Sequence, residues 1–123
     1  MIGYTTVGTN DFTRSAEFYD TLLGSMGAVR TMKADDFIAW GKAPDNTMFS
    51  IHTPQNGEAA SVGNGVMIAL MAQDTNQVKA IHKKAIELGG MDEGQPGPRG
   101  DQGFYAAYFR DLDGNKLNIH CMI

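Results

Sequence analysis

The tightest constraint on this chain is an internal duplication. Phe49-Ser50-Ile51-His52 and Leu117-Asn118-Ile119-His120 repeat one pattern of apolar, polar, apolar, histidine, each after a turn-forming stretch that carries an aspartate and an asparagine. Adding 68 to a position number maps Phe37 to Tyr105, Trp40 to Tyr108, Lys42 to Arg110, Asp45 to Asp113, Ser50 to Asn118 and His52 to His120 without a gap. Earlier in each half the offset is 63, from Tyr4 to Met67 and from Asp11 to Asp74, which assigns the second half a longer helix and loop. A pattern that repeats over half the chain means that one folding unit occurs twice.

The order of elements inside the unit follows from local patterning. Residues 2–9 are β-branched and aromatic, and Asn10-Asp11 then offers a helix cap. Phe12, Ala16, Tyr19, Leu22 and Leu23 share one helical face, and Gly24 ends it. Extended pieces are expected at 28–33, 37–41 and 47–53, so the first half reads βαβββ. The stretch 54–65 is small, polar and turn-rich, a connection rather than an element. Val66 to Ala72 reads as a strand, and Thr75 opens a helix with Val78, Ile81, Ala85 and Leu88 on one face. Residues 91–103 read as a glycine- and proline-rich loop, able to move over a cavity mouth, with room for a short strand; its Arg99 faces either an anionic ligand group or water and Asp101. The chain closes with a hairpin around Asp113-Gly114-Asn115. The expected fold class is α+β, one domain over 1–123, with module one at about 1–53 and module two at about 66–123.

With 123 residues the chain suits one domain that buries roughly two-thirds of its unfolded surface. A net charge of −4 gives no basic surface for phosphates, so nucleic acid is not an expected partner. No apolar run approaches the roughly 18 residues that span a bilayer, so no membrane partner is expected either, and the simplest address is the cytoplasm. The single cysteine, Cys121, forms no internal disulfide, and it reads as core.

The stretches VGTNDFTRSAEFYDTLLG and YFRDLDGNKLNIHCM resemble the two ends of the vicinal oxygen chelate superfamily, which includes glyoxalase I, bleomycin-resistance proteins and extradiol dioxygenases. That resemblance implies two βαβββ modules whose sheets curl around a central cavity, and a homodimer. It also implies four metal-ligand positions, which fall on Tyr4, Ser50, Met67 and Asn118. None of these is a good ligand for a divalent transition metal, so no metal and no cofactor are expected. Metal-free drug binders of the superfamily are then closer analogues than glyoxalase I.

Alternation along a strand puts His52 on the face of Ser50, and His120 on the face of Asn118. The two histidines are candidate catalytic residues, as an acid and base pair, and candidate ligand contacts. Two other readings stand beside these: ligands of a displaced metal, or partly solvated strand residues satisfied by neighbours. Tyr4, Trp40, Tyr105 and Tyr108 offer flat apolar area with a polar tip, suited equally to a ligand cavity or to packing. Met67 is an adaptable cavity wall or a space filler. His82, on a helix beside lysines, reads as surface. Asp111 to Asn115 resembles a calcium loop, but its glycine comes too early and Met122 stands where a glutamate should close it. The expected function is metal-independent binding of a small molecule, with a lyase or isomerase that uses His52 and His120 as the alternative.

Overall fold

The computed structural model describes residues 1–123, and the chain divides into two compact units, Met1–Val62 and Gly63–Ile123. The seam falls in the polar connection. In the first unit the order is β1 (Tyr4–Gly8), α1 (Phe12–Gly24), β2 (Val29–Ala34), β3 (Phe37–Gly41) and β4 (Met48–His52). In the second it is β5 (Ile68–Met71), α2 (Thr75–Glu87), β6 (Met91–Pro98), β7 (Phe104–Arg110) and β8 (Lys116–Met122). Each unit is thus βαβββ, and the fold is α+β built from two repeats.

Both sheets have the same topology, β1-β4-β3-β2 and β5-β8-β7-β6, with one parallel pair and two antiparallel pairs. Asp11 and Asp74 cap the two helices alike, each carboxylate accepting the backbone N–H three residues on. The apolar stripes of the helices then cover one face of each sheet. In the first unit Tyr19 packs on Trp40 and Phe49, with Leu22, Ile38 and Ile51 fully buried beside them. In the second, Val78, Ile81 and Ala85 face a core of Phe109, Leu117, Ile119 and Cys121. The alternate residues of every strand lie on the opposite, open face.

Three expectations change here. The segment 91–98 is a strand of eight residues and not a loop. It is an edge strand whose pairing with β7 shifts register between Asp92 and Gly94 and again between Gly94 and Gly97, and a proline at an edge or bulge removes no ladder bond that is needed. The two helices have equal lengths of 13 residues, so the extra residues of the second half lie in β6 and the turn after it.

The third change concerns the repeat itself. Phe37 pairs with His52 and Trp40 with Phe49, whereas Ala106 pairs with His120 and Phe109 with Leu117. Trp40 is therefore equivalent to Phe109, and not to Tyr108. The connection from β3 to β4 is one residue longer than that from β7 to β8, and a slip of one residue moves a side chain to the other face of a sheet. Trp40 is 2% exposed and Phe109 fully buried, both on the helix side.

Candidate functional site

Each open face carries a row of polar and aromatic groups set by alternation along two neighbouring strands. On the first sheet these are Tyr4 and Thr6 from β1, Phe37 from β3, and Ser50 and His52 from β4. Tyr4 meets Phe37 edge to face, with ring centroids 6.0 Å apart. His52 Nδ1 lies 3.1 Å from the Thr6 hydroxyl. Ser50 is fully buried and its hydroxyl donates to the Thr5 carbonyl at 2.7 Å, so this oxygen is committed to the sheet.

Beyond His52 the chain folds back over the end of β1. Asn10 holds this segment by accepting from the Ala60 N–H at 2.7 Å and donating to the Ala60 carbonyl at 3.1 Å. A shallow cleft of about 260 Å³ results, lined by Gly8, His52, Pro54, Asn56 and Ala60 among others. Gly8 permits the fold-back, because a Cβ there would stand 3.0 Å from the Ala60 Cβ. Asn10→Ala, which removes both side-chain bonds to Ala60, is expected to cost about 1–2 kcal/mol. Amide hydrogen exchange should show residues 54–61 opening first; unchanged protection there would contradict this anchoring role.

On the second sheet the open face carries Met71 from β5, Phe104 and Tyr108 from β7, and Lys116, Asn118 and His120 from β8. His120 stacks on Phe104 at 5.4 Å, and its Nδ1 lies 3.0 Å from the Asn118 Oδ1. With the amide oxygen as acceptor, Nδ1 carries the proton and Nε2 the lone pair.

The sequence candidates therefore separate. Tyr4, Ser50 and His52 share the first open face, and Tyr108, Asn118 and His120 the second. Met67 immediately precedes β5 and is 38% exposed. Trp40 leaves the candidate set: it lies in the core under α1, its indole N–H donating to Asp20 at 2.9 Å. Tyr105 pairs with Cys121, which places it on the helix side of its sheet. His82 is also corrected, since it is 4% exposed and its Nε2 meets the Asp92 carboxylate at 2.9 Å. The β6 edge reaches back over α2 and covers it. Asp92 itself is held below the usual carboxylate range, first by the Gly94 N–H, then by Gln95 and His82.

Asp111 closes the hairpin as a turn anchor, accepting the backbone N–H groups of Asp113 and Asn115 at 2.9 Å each. Alternation alone could have found Thr6 and Lys116, two residues from Tyr4 and Asn118. Phe104 and Gly94 required the register of β6, β7 and β8.

The model of the Glyoxalase/Bleomycin resistance protein/Dioxygenase superfamily matches residues 1–119. The chain belongs to this superfamily. A crystal structure of a glyoxalase/bleomycin resistance protein from Albidiferax ferrireducens T118 is 36% identical, superposes with a TM-score of 0.87, and is covered over 97% of its length by 98% of this chain. Two more distant structures share the fold. Lactoylglutathione lyase from Agrobacterium tumefaciens is 19% identical with a TM-score of 0.70, the alignment covering 98% of this chain and 92% of that one. TnmS3, an antibiotic binding protein from Streptomyces sp. CB03234, is 16% identical with a TM-score of 0.68, over 100% and 96%. No curated protein matches the chain.

At Tyr4, Ser50, Met67 and Asn118, the positions that the resemblance assigns to metal ligands, the side chains offer a phenol, a hydroxyl already donated to a carbonyl, a thioether and an amide whose oxygen faces His120. That donor set does not fit zinc, nickel or iron, which take imidazole, thiolate or carboxylate. No helix of the chain is long and apolar enough to cross a membrane.

Proposed function

We propose that this member of the glyoxalase/bleomycin resistance superfamily binds a small organic molecule on its open sheet faces without a transition metal. The observation that carries the reading is the commitment of the two polar ligand positions to the protein itself, Ser50 to the Thr5 carbonyl and Asn118 to His120. Aromatic and thioether surface remains for an apolar ligand body: Tyr4 is 56% exposed and Met71 78%. We further propose a homodimer, supported by the exposed Val29 and Met32 on the edge strand β2, which a second copy would cover, and a cytoplasmic location for it. Thermal-shift screening with metabolites, antibiotics and divalent metals tests the reading. A stabilising organic ligand is the expected result, and stoichiometric zinc, nickel or iron in purified protein would reject it.

A second reading, a lyase or isomerase, draws on one observation. His52 and His120 each engage Nδ1 in a bond along the sheet, which leaves Nε2 to exchange a proton with a substrate. Under it, His52→Gln and His120→Gln together lower turnover about 10²–10⁴-fold with KM changed less. Turnover that survives both changes would remove the histidines from the chemistry.

A further inference from the structure

The second open face holds two cations against one tyrosine. The Arg99 guanidinium carbon lies 5.4 Å from the Tyr108 ring centroid and Lys116 Nζ lies 5.5 Å from it, both within cation–π range. All three side chains are half-buried.

The arginine is built into place. Its Nη1 donates to the Gly97 carbonyl at 2.8 Å and its Nη2 to the Gln95 carbonyl at 2.7 Å, so the bulged part of β6 wraps the guanidinium. Glycine is required where the wrap is tightest. A Cβ on Gly94 would stand 3.0 Å from the Tyr108 ring and 3.2 Å from Arg99 Nη2.

Neither cation has a carboxylate within ion-pair distance. The neighbouring Arg110 on the same face is by contrast neutralised by Glu93. Half-burying two positive charges without a counter-ion costs desolvation that carbonyl dipoles and a ring quadrupole offset only in part. Nε–H of Arg99 and the ammonium of Lys116 retain donors that no protein acceptor meets, and charge-assisted bonds to an oxyanion are the strong kind.

We infer that Arg99, Lys116 and Tyr108 form an anion-recognition subsite, and that the ligand carries a carboxylate, phosphate or sulfate beside a flat apolar body. This rests on the small-molecule-binding reading and narrows it to an organic anion. Tyr108 supplies the stacking surface, Lys116 a mobile charge and Arg99 a fixed one.

The test is a titration with phenyl phosphate, benzoate and the neutral benzyl alcohol, followed by backbone amide NMR. Saturable shifts centred on residues 94–99, 108 and 116 are expected for the two anions, with benzyl alcohol at least about tenfold weaker. Lys116→Met should weaken phenyl phosphate about tenfold, and Lys116→Arg should restore most of that loss. Gly94→Ala, which crowds the niche and leaves both charges, should weaken it as well.

Equal affinity for benzyl alcohol, shifts centred elsewhere, or Lys116→Met binding as well as the unaltered protein would each overturn the subsite. So would the absence of binding by either anion. A neutral hit in the thermal-shift screen would leave the small-molecule reading standing while this inference fails, which separates the two.

Discussion

Trp40→Ala and Phe109→Ala are each expected to destabilise the protein by about 3–5 kcal/mol, while Tyr108→Ala costs about 1 kcal/mol. Trp40 and Phe109 are the large aromatic plugs of their two cores, 2% and 0% exposed, and truncating either leaves a cavity beneath a helix. Tyr108 stands on the open face, where its loss removes two partly solvated cation–π contacts and little buried area. Urea denaturation of the three variants measures the difference. A cost for Tyr108→Ala equal to that for Trp40→Ala would restore the pairing of these two residues that gapless alignment of the repeat suggests, and would remove the one-residue slip.

Asp20→Ala is expected to cost about 2–3 kcal/mol near neutral pH, chiefly through a buried donor left without its acceptor. The Asp20 carboxylate accepts from the Trp40 indole N–H at 2.9 Å and from Arg30 at 2.9 and 2.6 Å, and so joins α1, β3 and β2. Its ion pair with Arg30 is partly solvated and adds little by itself. Arg30 before all else, with help from Trp40 and against some desolvation, holds the Asp20 carboxyl below its ordinary value of 3.8. A depressed folded pKa makes this contribution complete above the unfolded value and lost as pH falls through the folded one. The gap in stability between Asp20→Ala and the unaltered protein should therefore narrow, without closing, as pH drops below about 4, because the protonated carboxyl still offers the indole a carbonyl oxygen. Asp20→Asn keeps an acceptor for the indole and should recover about half the loss at pH 7. A gap that does not narrow at all once the Asp20 carboxyl is protonated in the folded protein would refute any part for the charged form.

Much of the architecture was legible because it depends on local periodicity. The stripe of Phe12, Ala16, Tyr19 and Leu23, the caps Asp11 and Asp74, and the turn at Asp111 to Asn115 each satisfy rules that act within a few residues. The edge strand β6 was less legible. Glycine and proline are loop formers by themselves, and only the neighbouring β7 makes Met91 to Pro98 a strand. His82 was misread for the same reason, since its lysine neighbours in the chain say nothing of the Asp92 that the β6 edge brings to it.

Of the candidate site, alternation correctly put Ser50 with His52, and Asn118 with His120. The aromatic candidates Trp40 and Tyr105 fall on the helix side instead, as the pairing of β3 with β4 and of β7 with β8 decides.

By itself the amino-acid order determined that a βαβββ unit occurs twice, and which residues share a face within each continuous strand, because both follow from contacts spaced two, three or four residues apart. Tertiary structure alone decided which strand faces are equivalent between the halves, and which cations share one tyrosine. These depend on the pairing of strands many residues apart, and a single extra residue in the turn between β3 and β4 reverses a face without changing the pattern of either strand.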